Sequence, residues 1–154
     1  MSVTDETTKL AGRIGEELGT SHWILIDQAK IDAHADLSGD RDWLHNDPER
    51  AARESPTGTT IVQGFLMLSH LVQMAESLGN IADDVQYLLN YGFDRVRIIR
   101  PVKVDSRIRG RFVLKDVKPK GDDGFVATLD SRIEIEGEDE PAIIAEWLFY
   151  AKVA

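Results

Sequence analysis

The chain predicts a single α+β domain, with helices gathered in its first half and strands in its second. Three observations carry this expectation. Up to about Leu78 the apolar residues recur at helical spacing. From Val85 onward they alternate with polar ones, and clusters of Gly, Asp and Pro cut the alternating part into separate strands. A length of 154 residues with 42% hydrophobic side chains suits one domain, spanning residues 1–154, with a sizeable core.

Taken in order, Leu10, Ile14 and Leu18 share a helical face, so a helix is expected over residues 4–18, stopped by Gly19 and Thr20. Residues 22–26 are β-branched and aromatic enough for a strand. Asp27 can then cap a helix running from Gln28 to about Leu37 and ended by Gly39. Asp47-Pro48-Glu49-Arg50 reads as an N-cap, a proline in the first helical position and an acid in the first turn, so Asp47 is structural. In residues 61–78 the apolar side chains, among them Val62, Phe65, Leu68, Leu71, Val72 and Ala75, cover most of a helix circumference, which predicts a buried central helix.

The strands read equally directly. Ile108, Gly110, Phe112 and Leu114 share one face of a strand, while Arg107, Arg109, Arg111 and Lys115 share the other. After turn residues 118–124, Phe125, Ala127, Leu129, Ser131, Ile133 and Ile135 share a face, which predicts an antiparallel hairpin with a common buried side. Pairing across that turn sets Arg109 opposite Glu134 and Arg107 opposite Glu136, and these ion pairs account for the arginine stripe. A last strand alternates Ile143, Ala145, Trp147, Phe149, Ala151 and Val153 against the polar side. One central helix wrapped by an antiparallel sheet accommodates all of these pieces.

Composition narrows the function. With 27 acidic residues against 18 Lys and Arg, a net charge of −9 argues against general nucleic-acid binding, which needs cations to neutralise phosphates. The absence of cysteine excludes disulfides, zinc–thiolate sites and thiol nucleophiles and suits a cytoplasmic protein. No apolar run approaches the roughly 20 residues of a membrane helix, so no membrane partner is expected. His22, His34 and His70 have no ligand-like spacing, and neither a metal nor a cofactor is expected. Arg95, Arg97, Arg100 and Lys103 form the one dense basic cluster without matching acids, Asp94 being its only close carboxylate, and it is either a solvated strand face or the rim of an anion site.

The chemistry concentrates in Leu37-Ser38-Gly39-Asp40-Arg41-Asp42-Trp43-Leu44-His45-Asn46-Asp47-Pro48. On one helix, residues five apart point roughly 140° away from each other. Asp40 and His45 therefore share a target only if the segment is irregular, and Gly39 and Pro48 favour that.

The run from Ala35 through Asp40, His45, Asp47-Pro48 and Ala51, followed by Gly58-Thr59-Thr60-Ile61-Val62-Gln63-Gly64-Phe65, resembles the MaoC-like (R)-specific enoyl-CoA hydratases. The likeness extends from about Ser21 to the C-terminus, with the first helix as an addition. It implies a hotdog fold, a curved antiparallel sheet wrapped round one long helix, and a homodimer acting in fatty acid metabolism. It also implies a water activated by the Asp40–His45 pair and a thioester oxygen held by the backbone N–H of Gly64. Asn90-Tyr91-Gly92 resembles a subgroup of single-domain members, making Asn90 a candidate substrate contact, with a strand-edge hydrogen bond as the alternative. Arg95, Arg97 and Lys103 are candidate contacts to the CoA phosphates.

Three positions depart from the family pattern. Asp42-Trp43 stands where many relatives carry Asn-Pro, Gln63 where a His precedes the Gly, and Val72 where some place a serine. Gln63 can hydrogen-bond but cannot titrate. An acyl-CoA thioesterase and a non-catalytic acyl-CoA-binding module are the alternatives, because one fold hosts several functions.

Overall fold

The computed structural model describes residues 2–154. Ser2 and Asp5 form a reciprocal capping box that opens helix α1 (Val3–Ala11). The helix ends several residues before the expected stop. The chain turns at Gly12 and at Gly15, whose φ is +90°, and carries Leu18 into strand β1 (Glu17–Thr20) instead. Strand β2 (Ile24–Ile26) is correspondingly shorter than the 22–26 expected.

Asp27 accepts from the Lys30 N–H at 3.0 Å and caps helix α2 (Gln28–Ser38), which closes on Gly39 at φ +81°. A four-residue loop follows. Asp42 then caps the single-turn helix α3 (Trp43–Asn46), and Asp47 caps α4 (Pro48–Glu54), accepting from Arg50 N–H at 3.0 Å. The central helix α5 (Gly64–Glu76) is shorter than the apolar run that announces it.

Strands β3 (Val85–Ile98), β4 (Ser106–Pro119), β5 (Gly124–Ile135) and β6 (Ile143–Val153) complete a six-stranded antiparallel sheet in the order β1-β4-β5-β6-β3, with β2 also on β4. This is the hotdog architecture. The β4–β5 register sets Arg109 against Glu134, as expected, and Glu134 accepts from Arg109 at 2.7 Å and from Arg111 at 2.6 Å. Arg107 and Glu136 stand 4.0 Å apart on the exposed rim.

The concave face of the sheet and α5 form the core. Leu66, Met67, Leu71 and Met74 of the helix are buried with Phe112, Phe125, Leu129, Ile133 and Trp147 of the strands. The helix is not apolar-buried all round, however. Phe65 is 73% exposed and Val72 39% exposed, the latter lining a cavity beside β3.

Candidate active site

Asp40 and His45 come together because they do not share a helix. Asp40 lies in the loop after the left-handed Gly39, whereas His45 rides on α3, so the loop resets the angle that a continuous helix would impose. His45 Nε2 and Asp40 Oδ2 are 3.9 Å apart. That separation is too long for a direct hydrogen bond and leaves room for one water to touch both.

The imidazole is held from behind. His45 Nδ1 lies 2.7 Å from the carbonyl oxygen of Ile61, an atom that can only accept, so Nδ1 carries a proton, and in the neutral ring the Nε2 lone pair faces Asp40. The Ile61 N–H donates back to Leu44 O at 2.9 Å, tying the same two segments a second time. The His45 side chain is 15% exposed and that of Asp40 43%, so the pair opens outward from a buried ring.

Three residues beyond Ile61, α5 begins at Gly64. Its N-cap residue Gln63 makes no side-chain cap, and the first intrahelical bond is donated by Met67 N–H to Gln63 O at 3.2 Å. The N–H groups of Gly64, Phe65 and Leu66 thus have no acceptor among the described residues, at the positive end of the helix dipole. A Cβ at Gly64 would collide with the δ-methyl of the half-exposed Ile98, whose side chain would have to turn aside, so glycine lets β3 and the helix start approach without that shift.

Gln63 is fully buried, and its Nε2 donates to Ile31 O at 3.0 Å. The amide spans from α5 to α2 and serves as a tie between helices. The other departures are equally local. Asp42 accepts from Leu44 N–H at 2.9 Å, and Trp43 stacks under the Arg50 guanidinium, 4.3 Å from its ring centroid.

A cavity of about 710 Å³ lies between the C-terminal half of α5 and the start of β3, where Val72, Ala75, Val85, Leu88, Trp147 and Phe149 are among the lining residues. Asn90 also lines this cavity, and its Oδ1 accepts from Trp147 Nε1 at 3.1 Å. The candidate substrate contact therefore sits about a third of the way along β3 from its start, in the cavity wall, and its side-chain oxygen is occupied by an indole.

The candidate phosphate contacts separate. Lys103 is exposed and bridges to Ile61, beside the carbonyl that holds His45. Arg95 pairs in register with Glu146 and Arg97 with Ile144 on the convex face, and Arg95 lines a charged groove there with Arg111, Lys115 and Glu17. The structure thus brings Lys103, but not Arg95 or Arg97, to the Asp40–His45 side. His70 lies elsewhere on α5, where burial lowers its pKa while Nδ1 contacts Gln73 Oε1 at 3.1 Å. Gln28 and Thr60 also belong to the site's frame; Thr60 lies in the run that carries the family resemblance, but its contact with Gln28 and that of Gln28 with His45 have no local signal, because they are made across 32 and 17 residues.

A sheet wrapped round one helix, with an acid and an oriented imidazole beside that helix's bare N-terminus, defines a hotdog protein equipped for acid–base work on a ligand. The chain belongs to the MaoC-like dehydratase family: the family model described as MaoC like domain matches residues 9–134. It is 48% identical over 136 residues to a nodulation protein N of Rhizobium leguminosarum bv. viciae, covering 88% of this chain and 84% of the relative. It is 38% identical over 146 residues to 3-hydroxyacyl-thioester dehydratase Z of Mycobacterium tuberculosis, covering 95% of both chains. In fold it is similar to the (R)-hydratase from A. caviae involved in PHA biosynthesis, with a TM-score of 0.72 and 23% identity over 92% of this chain and 96% of that one. Membership supports hydro-lyase chemistry in general, and no helix among the described residues is long and apolar enough to cross a membrane.

Proposed function

We propose that the protein adds water reversibly to trans-2-enoyl-CoA, giving (R)-3-hydroxyacyl-CoA. The observation that carries this reading is the 3.9 Å gap between Asp40 Oδ2 and the Nε2 of a His45 ring anchored through Nδ1, a geometry suited to one polarised water. In the hydration direction, the pair takes a proton from that water as its oxygen bonds to C3. The C2=C3 π electrons move toward the thioester carbonyl, whose oxygen gains negative charge, and the pair returns a proton to C2. The free N–H of Gly64 is oriented for such an oxyanion, where one donor is worth about 3 kcal/mol. Water and protons are the only species exchanged, so the reaction calls for no cofactor.

The cavity between the C-terminal half of α5 and β3, lined in part by Val72, Leu88, Trp147 and Phe149, suits an acyl chain. Lys103 at the site's rim suits a CoA phosphate, and reversing its charge raises KM more than it lowers kcat. The protein acts as a homodimer joined along β3. That 14-residue strand is bonded on one edge only and exposes Tyr87, Leu88, Leu89, Tyr91 and Phe93, and antiparallel pairing of β3 with its own copy satisfies both edges by one two-fold operation.

The test is loss of enoyl absorbance with crotonyl-CoA, extended from C4 to C16 with chiral analysis of the product. Asp40→Asn and His45→Ala, shown folded by circular dichroism, lower kcat by about 10² to 10⁴. Wild-type rates in both variants refute the assignment. Release of free CoA thiol in place of hydration assigns a thioesterase, and saturable binding without turnover on any chain length assigns a binding module.

A further inference from the structure

Gln28 stands at the first position of α2, 17 residues before His45 and 32 before Thr60, yet its amide is fully engaged with both. Its Nε2 donates to the main-chain carbonyl of His45 at 2.7 Å and to Asp32 Oδ1 at 2.9 Å. Its Oε1 accepts from the Thr60 hydroxyl at 2.6 Å. Asn46, next to His45, donates to the same Asp32 oxygen at 2.7 Å. Thr60 is 2% exposed, and the residue after it supplies the carbonyl that receives His45 Nδ1.

These bonds close a ring. From the His45 carbonyl the path runs through the Gln28 amide to the Thr60 hydroxyl, along the chain to the Ile61 carbonyl, and back through the imidazole to His45. The two ends of one planar amide thereby set the distance between the His45 backbone and the oxygen its ring must reach. Both donors and the acceptor of the amide are used, so its orientation is determined.

We infer that Gln28, acting with Thr60, is a positioning residue that keeps the His45 proton on Nδ1 and its lone pair on Nε2, aimed at the reacting water. The inference rests on the hydratase reading for its effect on rate, but not for its effect on the imidazole. Without the clamp, the His45 carbonyl and the Thr60 hydroxyl lose their partner, and α3 is free to shift relative to Ile61. A displacement of under 1 Å breaks a 2.7 Å hydrogen bond, and the neutral ring then populates both tautomers. The tautomer protonated at Nε2 cannot accept a proton there.

Gln28→Leu and Thr60→Val should each lower kcat on crotonyl-CoA about 10- to 100-fold, with KM changed less than twofold, while Thr60→Ser, which keeps the hydroxyl, stays near wild type. Nitrogen-15 shifts of the His45 ring, recorded without substrate, should show one Nδ1–H tautomer in the wild type and Thr60→Ser and a mixture in the other two. A single unchanged tautomer together with wild-type kcat in Gln28→Leu overturns the inference. Should Gln28→Leu not fold, equal tautomer populations in Thr60→Val and Thr60→Ser overturn it instead. A wild-type protein with a fixed tautomer but no turnover on any enoyl thioester refutes the hydratase reading and leaves the clamp standing.

Discussion

Strands β3 and β4 are both 14 residues long and lie in the same sheet, yet they are built for different surroundings. β4 is bonded on both edges, by β1 and β2 on one side and β5 on the other, and its inward residues Ile108, Phe112 and Leu114 are fully buried. Its outward arginines meet acids, Arg109 with Glu134 in register and Arg111 with Glu134 and Glu17 on the diagonal. β3 is bonded only to β6, its register shifts three times, and apolar side chains stand exposed on both of its faces. A strand that completes its own contacts reads as alternation. One left with exposed apolar side chains on both faces and an unpaired edge does not, and the proposed homodimer would finish them.

The contrast is sharpest in what substitutions cost. Phe112→Ala removes a fully buried ring that packs against Trp147 at 6.4 Å between centroids, and should lower the stability seen in urea unfolding by about 3–5 kcal/mol. A loss below about 1 kcal/mol would mean that β4 is not the closed element described. Leu89→Lys on β3 should leave that stability within about 0.5 kcal/mol but weaken self-association about 100-fold, as read by sedimentation. Unchanged sedimentation would remove the reason given for the exposed edge.

Glu134→Gln comes next. Burial pushes the Glu134 carboxyl up, but hydrogen bonds from Arg111 and then Arg109 outweigh it and hold the pKa below the ordinary carboxylate range. A depressed folded pKa stabilises the protein above the unfolded-state value, and this contribution is lost as pH falls through the folded one. The substitution should therefore cost about 1–2 kcal/mol at pH 7, with the gap from wild type closing as unfolding is repeated at lower pH. A gap that widens on acidification would contradict the assignment. Smallest is Arg107→Ala, which breaks an exposed 4.0 Å pair and should shift stability by no more than about 0.5 kcal/mol in the same unfolding experiment.

Local signals in the sequence were reliable where one segment satisfies itself. The caps at Asp27, Asp47 and Gly39 and the inward faces of β4, β5 and β6 are each visible in a few neighbouring residues. They mislead where a partner intervenes. The helical spacing of Leu10, Ile14 and Leu18 spans two elements, since Leu18 belongs to a strand that pairs with β4, and Ile14 sits in the turn between. The apolar girth of residues 61–78 likewise predicts burial that Phe65 and Val72 do not have.

The candidate site divides along the same line. By itself the sequence determined the order of elements, the alternation of the sheet, the loop that separates Asp40 from His45 and the glycine at the helix start, because each depends on backbone preferences and spacing within a few residues. Tertiary structure alone decided which imidazole nitrogen keeps its lone pair, that Gln28 and Thr60 frame it, that Gln63 ties α5 to α2, and that Lys103 rather than Arg95 or Arg97 stands on the site's side. Those outcomes are hydrogen bonds and strand faces joining segments far apart in the chain. A strand register moved by one residue, or a helix turned by one position, would reassign all of them without changing any local pattern.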